Sequence, residues 1–496
     1  MQSSQSIALS PELATAVTHS ARELELHGGR QNGNNAAFPT DTSPALNALM
    51  REYEHEKTPI PVSFRQLVPW LKVGERATHY LHPYPAKLLP QIAHFFLAAG
   101  TLSRKGDTVL DPFSGSGTVA LETVLSGRNA LYAEVNPLAR LITRAKTTAP
   151  SPEALRQAYS LMRDRSATHF TDDIPDVVNA ELWYAEEIFR CLAQIKSAIQ
   201  LEQNPTCREA LLIAFSVVTR KVSRADPRFS VPVRRKVATS SEPDRPGHKE
   251  ASEKIWKIFD WQISANIKRY KELEHLLTES PRIRYVGPDS RALRLFDEGE
   301  CGTLSHSAHM PESFVDLIIT SPPYVSAQKY VRATSLNLGW LDLAPSKGLS
   351  ALEQRTIGRE HIRKSASGID KITFADAEAV NFVHEVAAVN PARAAITLTY
   401  LSEMNAAVAE MARVLRPGGY AVVVIGDNLI CGRKFETTHF IKHMFEAQSC
   451  DLRLHLTDRI PSRGLMTKRN GTAAVIAEES ILVFHKRRSW WDSAPA

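Results

Sequence analysis

Ser321-Pro322-Pro323-Tyr324 closes an apolar run, Val315 to Ile319, and brings together groups that could do chemistry. Such a run suits a buried strand of a parallel sheet. Neither proline can donate to a ladder, so the strand must stop in a stiff corner. The corner presents a hydroxyl, carbonyl oxygens freed from the ladder and an aromatic face, a set able to grip a flat, amine-bearing base. Taken alone, the same residues also suit a strand-ending turn or a proline-rich ligand. A second constellation lies far upstream. Gly106 to Asp111 reads as a strand, Pro112-Phe113-Ser114-Gly115-Ser116-Gly117-Thr118 as a glycine turn, and Val119 as the start of a helix. Gly115 and Gly117 allow backbone angles closed to other residues and a close approach to a ligand. Glu134 stands seventeen residues after Gly117, at the tip of the apolar run Ala130 to Ala133. That acid is placed to bind ribose hydroxyls, although the Gly-x-Gly-x-x-Gly fingerprint is not met because Ala120 occupies the third position.

These motifs resemble those of the DNA amino-methyltransferases, which methylate the exocyclic nitrogen of cytosine or adenine. Ser321 to Tyr324 is similar to their catalytic motif, and Asp-Pro-Phe-Ser-Gly-Ser-Gly-Thr from Asp111 to Thr118 to their S-adenosylmethionine loop. The resemblance implies that Asp111, Pro112, Phe113, Ser114, Gly115, Gly117 and Thr118 hold the cofactor and that Glu134, in Glu-Val-Asn-Pro137, binds its ribose. It further implies that Asp289 receives the adenine amine, and that Pro85 and Ala86, in His82-Pro-Tyr-Pro-Ala-Lys87, touch the methionine part. For the reaction it implies that Ser321 and the Pro322 carbonyl accept the two amine hydrogens. Pro323 stiffens the corner, and a flipped-out base stacks on Tyr324. Ser at the first corner position points to cytosine N4, with adenine N6 as the alternative. A catalytically inactive DNA-binding subunit is the reading from another class, which loss of cofactor binding would favour. Double-stranded DNA is the implied partner, together with a cognate restriction endonuclease or defence-system subunits.

The elements that must position these groups follow from length and pattern. A chain of 496 residues can bury a large core in two or three domains. No apolar stretch reaches the ~18 residues of a membrane span and the N-terminus lacks a signal core, so a cytoplasmic protein is expected. The five cysteines are scattered and never at Cys-x-x-Cys spacing, which argues against a disulfide framework and a cysteine zinc site; no metal is expected.

The order of motifs predicts an α/β fold with a Rossmann-like, doubly wound, mostly parallel sheet of the class I methyltransferase kind. In such a sheet the first and fourth strands are neighbours and ligands bind beyond their carboxyl ends, so the glycine turn and the Ser-Pro-Pro-Tyr corner should face one cleft. Residues 1–50 read as a flexible leader with a short helical pattern near Pro11 to Leu26. Residues 51–150 and 282–496 read as the catalytic domain, and 151–281 as a helical insertion for target recognition. Within the insertion, helices are expected over Leu182 to Leu201, Arg208 to Val222 and Ser252 to Leu277.

Net charge is +6, and the stretch Arg220 to Lys249, with nine Lys/Arg and three acids, carries an equal excess. It reads as a loop or arm whose Arg220, Lys221, Arg224, Arg234, Arg235 and Lys236 could meet phosphates. Beyond the corner an irregular region is expected as far as Pro391, helping to build the substrate cleft. A helix over Tyr400 to Leu415, a strand over Tyr420 to Ile425 and a closing hairpin from Leu452 to Leu456 with Ser480 to His485 follow. The hairpin's loop offers Arg463, Lys468 and Arg469 to DNA.

Overall fold

The computed structural model describes residues 41–72, 76–168, 173–235, 247–298, 304–325, 329–362, 376–459 and 478–488. Among them the strands run, in chain order, β1 (Ile60–Val62), β2 (Thr108–Asp111), β3 (Asn129–Tyr132), β4 (Ile283–Tyr285), β5 (Arg294–Glu298), β6 (Leu304–His309), β7 (Val315–Thr320), β8 (Leu415–Ile425), β9 (Asn428–Ile430), β10 (Arg433–Phe435), β11 (Cys450–Arg459) and β12 (Glu478–Lys486). Eight of these make one sheet in the order β4-β3-β2-β7-β8-β12-β11-β1, while β5-β6 and β9-β10 are separate two-stranded ribbons. All neighbours in the large sheet are parallel except at β12, which runs antiparallel to both β8 and β11. This is the doubly wound, mostly parallel sheet expected. Its winding reverses between β2 and β7, which pair directly through Val109 with Leu317 and Leu110 with Ile318.

The strands are short and apolar because both faces are covered. On one side Leu317, Ile319, Val422 and Val424 join Phe64, Phe95 and Phe96. On the other, Leu110, Ile318, Ala421 and Val423 join the helix Pro391–Val414. The expected strand Tyr420 to Ile425 begins earlier. The helix before it spans Pro391–Val414, and Arg416 to Gly419 form a bulge between the Val315–Leu415 and Leu317–Tyr420 pairs. Gly418 sits there at φ 76°. The closing hairpin is present as β11 and β12.

Two expectations are corrected. Residues 43–50 are not leader: Ser43–Glu56 is a helix that buries Ala45, Leu46, Leu49 and Tyr53 against the sheet. The pattern near Pro11 to Leu26 lies outside the described residues. The region after the corner is not irregular, for it contains the helices Tyr330–Trp340, Leu349–Arg355 and Ala377–Val389. Trp340 ends the first of these. It is fully buried against Tyr184, Phe189 and Phe215 of the insertion.

The insertion is helical, with Glu186–Gln200, Pro205–Val222 and His248–Leu276 close to the spans expected, although Tyr184-Ala185 separates a short helix, Ala180–Trp183, from the first. It is no detached module. Its helices share one core with Thr118–Leu125, Pro137–Thr147 and Tyr330–Trp340, the elements flanking the glycine turn and the corner.

Candidate active site

The glycine turn takes its shape from backbone that only glycine holds cheaply. Gly115 and Gly117 have φ of 51° and 74°, and a Cβ on Gly117 would lie 2.7 Å from Thr143 of the helix Pro137–Thr147. The turn therefore packs directly on that helix, with no room for a side chain. Its other support is the segment Arg76 to Lys87, pinned by a buried carboxylate. Glu122 accepts from Arg76 Nε at 2.7 Å and lies 2.8 Å from His79 Nε2 and 3.2 Å from His94 Nδ1. Burial would push Glu122 up, but Arg76 and these hydrogen bonds outweigh it and hold it well below the carboxylate range.

Turn, segment and corner line an open-mouthed cavity whose empty space, the mouth included, is about 930 Å³. Its walls include Ala86, Asp111, Pro112, Phe113, Ser114, Gly115, Thr118, Glu134, Asp289, Ser321 and Pro323, so nearly every residue expected at the cofactor converges here. Pro85, Gly117, Pro322 and Tyr324 do not line it. Gly117 shapes the turn from behind, and Pro322 is buried.

Glu134 accepts from the backbone N–H groups of Gly115 at 2.8 Å and Asn136 at 2.7 Å. Burial raises its carboxyl to about 7 against those two donors. Asp111, at the end of β2, accepts from the Thr320 hydroxyl at 2.7 Å and Phe113 N–H at 3.1 Å, and burial raises it to about 7 as well. The first of these bonds ties the end of β2 to the residue before Ser321. Asp289 is pushed up by burial, but its pairing with Arg291 at 2.8 Å dominates and keeps it below the usual value; Arg291 in turn reaches Glu403.

Sequence reasoning missed part of the wall. Tyr84 and Tyr330 stack with ring centroids 6.5 Å apart, and Asn136 donates to the Tyr84 hydroxyl at 3.3 Å while its own carbonyl caps the helix Pro137–Thr147. Arg355, Thr356 and Ile357 complete the rim. Asn136 had a visible signal, an Asn-Pro helix start, whereas Tyr330 and Arg355 had none.

A second space adjoins the corner through the hydrogen-bond partner of Tyr324. Tyr324 donates its hydroxyl to Glu479 Oε1 at 2.9 Å, and Glu479 lines a groove of about 790 Å³ with Arg65, Tyr80, Lys87, Thr118, Asp458 and Arg459. Lys87, Leu88 and Thr118 belong to both spaces. Burial raises both Glu479 and Asp458, and lowers Lys87 to about 8. Tyr80 is 51% exposed at the groove.

The cavity can be tested against a nucleoside-like, sulfonium-bearing cofactor on its own features. The Ser114 hydroxyl is buried on this wall without a hydrogen-bond partner, a Cβ on Gly115 would meet no atom within 4 Å, and Glu134 offers the paired acceptor a ribose diol needs. The cradle fits S-adenosylmethionine.

A family model for RMKL-like methyltransferase domains, UPF0020, matches residues 78–172, which span the pinned segment, the glycine turn and Glu134. That stretch has the pattern of a methyltransferase domain. Over most of its length the chain resembles type II methyltransferases. It is 23% identical over 433 residues to the type II methyltransferase M.MvaI of Kocuria varians, covering 82% of this chain and 91% of that one. It is 25% identical over 318 residues to M.BsoBI of Geobacillus stearothermophilus, 60% of this chain and 59% of that one. Among solved structures, TTHA0409 of Thermus thermophilus, assigned as a DNA modification methylase and complexed with S-adenosyl-L-methionine, is 19% identical with a TM-score of 0.18. That match covers 38% of this chain and 52% of the other.

Among the described residues, Arg220, Lys221 and Arg224 are held against their neighbours rather than set on a free arm. Arg220 and Lys221 end the helix Pro205–Val222, where Arg220 donates to the Phe229 carbonyl at 2.9 Å and Lys221 lies 4.3 Å over the Trp261 ring. Arg224 donates to the Glu181 carbonyl at 3.3 Å, while Arg234 and Arg235 are exposed. Lys236, Arg463, Lys468 and Arg469 lie outside the described residues. No helix among the described residues is long and apolar enough to cross a membrane.

Proposed function

We propose that this methyltransferase acts on DNA, transferring a methyl group from S-adenosylmethionine to the exocyclic N4 of a flipped-out cytosine. The observation that carries the reading is the position of the Ser-Pro-Pro-Tyr corner. Ser321 and Pro323 close the cofactor cavity, while Tyr324, through Glu479, borders a separate cation-flanked groove. A cofactor and a flat second substrate can therefore meet at one corner from two sides.

An exocyclic amine is a poor nucleophile because its lone pair is delocalised into the ring. Bound S-adenosylmethionine supplies a methyl already activated by sulfonium charge, so the chain's task is to prepare and aim the nitrogen. Ser321 Oγ and the Pro322 carbonyl accept the two amine hydrogens, drawing nitrogen toward tetrahedral geometry with its lone pair turned to the cofactor cavity. The Tyr324 ring, its hydroxyl anchored on Glu479, supplies the stacking face. The proton released from nitrogen passes to water at the open mouth. Arg65, Arg459 and Lys87 flank the groove where the DNA backbone would run.

Likeness to type II methyltransferases supports a place in a restriction-modification setting with a cognate nuclease, in the cytoplasm. Ser321 at the first corner position supports cytosine over adenine. The test is nucleoside mass spectrometry of DNA from a methylation-free host expressing the chain, beside Ser321→Ala. N4-methylcytosine that disappears in the variant is expected. N6-methyladenine would overturn the choice of base, and neither modification would overturn the reading as a DNA methyltransferase.

A further inference from the structure

Two histidines and two carboxylates meet away from the active site, on the side of the sheet that carries the helix Pro391–Val414. His439 and His443 are one turn apart on the helix Thr437–Ala447 and present their rings on the same face, with centroids 4.0 Å apart. Asp376 and Glu378 begin the neighbouring helix Ala377–Val389. Asp376 uses Oδ1 to cap that helix, accepting from Glu378 N–H at 2.9 Å and Ala379 N–H at 3.1 Å, which leaves Oδ2 aimed at His443 Nδ1, 2.8 Å away. Glu378 Oε2 stands 2.8 Å from His439 Nε2, yet that buried nitrogen has no partner in hydrogen-bonding alignment.

We propose that Asp376, His439 and His443, with Glu378 or water as the fourth donor, form a structural site for a divalent transition metal of the zinc type. The ligand atoms of the first three already lie within 4.8 Å of one another. Imidazole nitrogens and carboxylate oxygens are a donor set zinc accepts in tetrahedral geometry, with metal–ligand distances of about 2.0–2.2 Å that place neighbouring donors roughly 3.3 Å apart. The hydrogen-bonded pair would open by about half an ångström, and the wider-set donors close by up to about 1.5 Å, to admit the ion. The framework beneath is rigid, since Phe382, Phe435 and Phe440 pack ring against ring under both helices. Asp376 is also only 12% exposed at its side chain, so its free oxygen is held rather than sweeping through solvent.

The site has a place in the working of the molecule. Its histidine helix is fixed at its start by Thr438 N–H donating to Asp427 Oδ1 at 3.0 Å. The next residue, Asn428, donates to the Val325 carbonyl at 2.8 Å, immediately beyond Tyr324. A metal joining Asp376 to His439 and His443 thus clamps the helix Ala377–Val389 onto the element that braces the back of the catalytic corner. The competing reading is an ordinary ion pair between His443 and the helix-capping Asp376.

Equilibrium dialysis of the full, chelator-treated chain against Zn²⁺ alone, with metal analysis, decides between them. The expected result is one zinc per chain, with affinity reduced more than about tenfold in His439→Gln and in His443→Gln, since losing a ligand costs at least what losing its outer-shell support does. Thermal unfolding of the unsubstituted chain should rise with added Zn²⁺ and stay unchanged in both variants. Co²⁺ substitution supplies a reading that needs no variant, namely visible bands of tetrahedral intensity. Absence of stoichiometric zinc, binding that survives both substitutions, or octahedral Co²⁺ spectra would overturn the proposal. An ion pair alone would leave His443→Gln equally destabilised with and without Zn²⁺.

Discussion

Gly115 and Gly117 stand two apart in the same turn, both with positive φ, yet they should fail in opposite ways when replaced by alanine. At Gly117 the added Cβ meets Thr143 Cγ2 and Oγ1 at 2.7 Å and Thr143 Cβ at 2.9 Å, all on a helix wedged into the core. Holding alanine in the left-handed region costs about 1–2 kcal/mol, and forcing a methyl into a filled space about 1–3 kcal/mol more. Gly117→Ala should therefore lose about 2–5 kcal/mol of stability, the sum of those two costs. At Gly115 the φ of 51° carries the same backbone cost, but nothing lies within 4 Å of the new Cβ, because the space it enters is the cofactor cavity. Gly115→Ala should lose only about 1–2 kcal/mol of stability while weakening S-adenosylmethionine binding more than about tenfold. Urea unfolding gives the first quantity and titration calorimetry the second. Thr143→Ala on the Gly117→Ala background should return part of the loss, since it removes two of the three close atoms. Equal destabilisation by the two alanines, or undiminished cofactor affinity in Gly115→Ala, would refute the assignment of one glycine to the fold and the other to the ligand.

Tyr324→Ala should cost ~1–3 kcal/mol of base stacking, read as weaker binding and slower turnover on DNA, and unchanged turnover would remove the ring from the reaction. Tyr324→Phe keeps the ring but strips Glu479 of its donor, so kcat should fall by about tenfold while cofactor affinity holds, the loss expected of about one hydrogen bond to a charged or buried group. In the cofactor-free chain Glu134 ionises near 7 rather than 4.5, so between those values the folded state retains a proton that the unfolded state has released. Stability should accordingly fall as pH rises through that window, and Glu134→Gln should flatten the urea-midpoint profile. Arg65→Ala or Arg459→Ala should weaken DNA binding evenly across sequences and reduce the slope of log K against log salt by about one, measured by anisotropy at several salt concentrations.

The parts of this molecule legible in its sequence are those where one short stretch carries the whole physical reason. Proline after an apolar strand forces an end, and glycine between strand and helix permits a turn. From these the β2–β7 neighbourhood and a cleft containing both Asp111 and Ser321 could be anticipated, and the register of Val109 with Leu317 agrees. The helix Tyr330–Trp340 was illegible for a converse reason. From Thr334 to Trp340 every residue is buried, so no polar face marks a helical period. In Ser43–Glu56 the period was present in Ala45, Leu46, Leu49 and Tyr53, but a preceding stretch of sequence rich in Ser, Asn and Gly hid where the helix begins. In the basic stretch, charge counts do not reveal which cations also bond to carbonyls, as Arg220 and Arg224 do to Phe229 and Glu181.

Glu479 marks the limit of local reasoning and also what the fold adds. It lies 155 residues from Tyr324, in an antiparallel strand whose direction brings its first residues to the end of the sheet where the parallel strands finish. The insertion of β12 between β8 and β11 is therefore what lets a carboxylate from late in the chain hold the Tyr324 hydroxyl. A parallel strand in that place would present its last residues, His485 and Lys486, to the corner and leave the phenol unanchored. The same reversal sets Asp458 and Arg459, at the end of β11, beside Glu479 at the start of β12, so one hairpin furnishes both the anchor of Tyr324 and a cation of the groove. On the proposed function, substrate grip and backbone contact would thus be linked through a single pair of strands, and damage to either should be felt in the other.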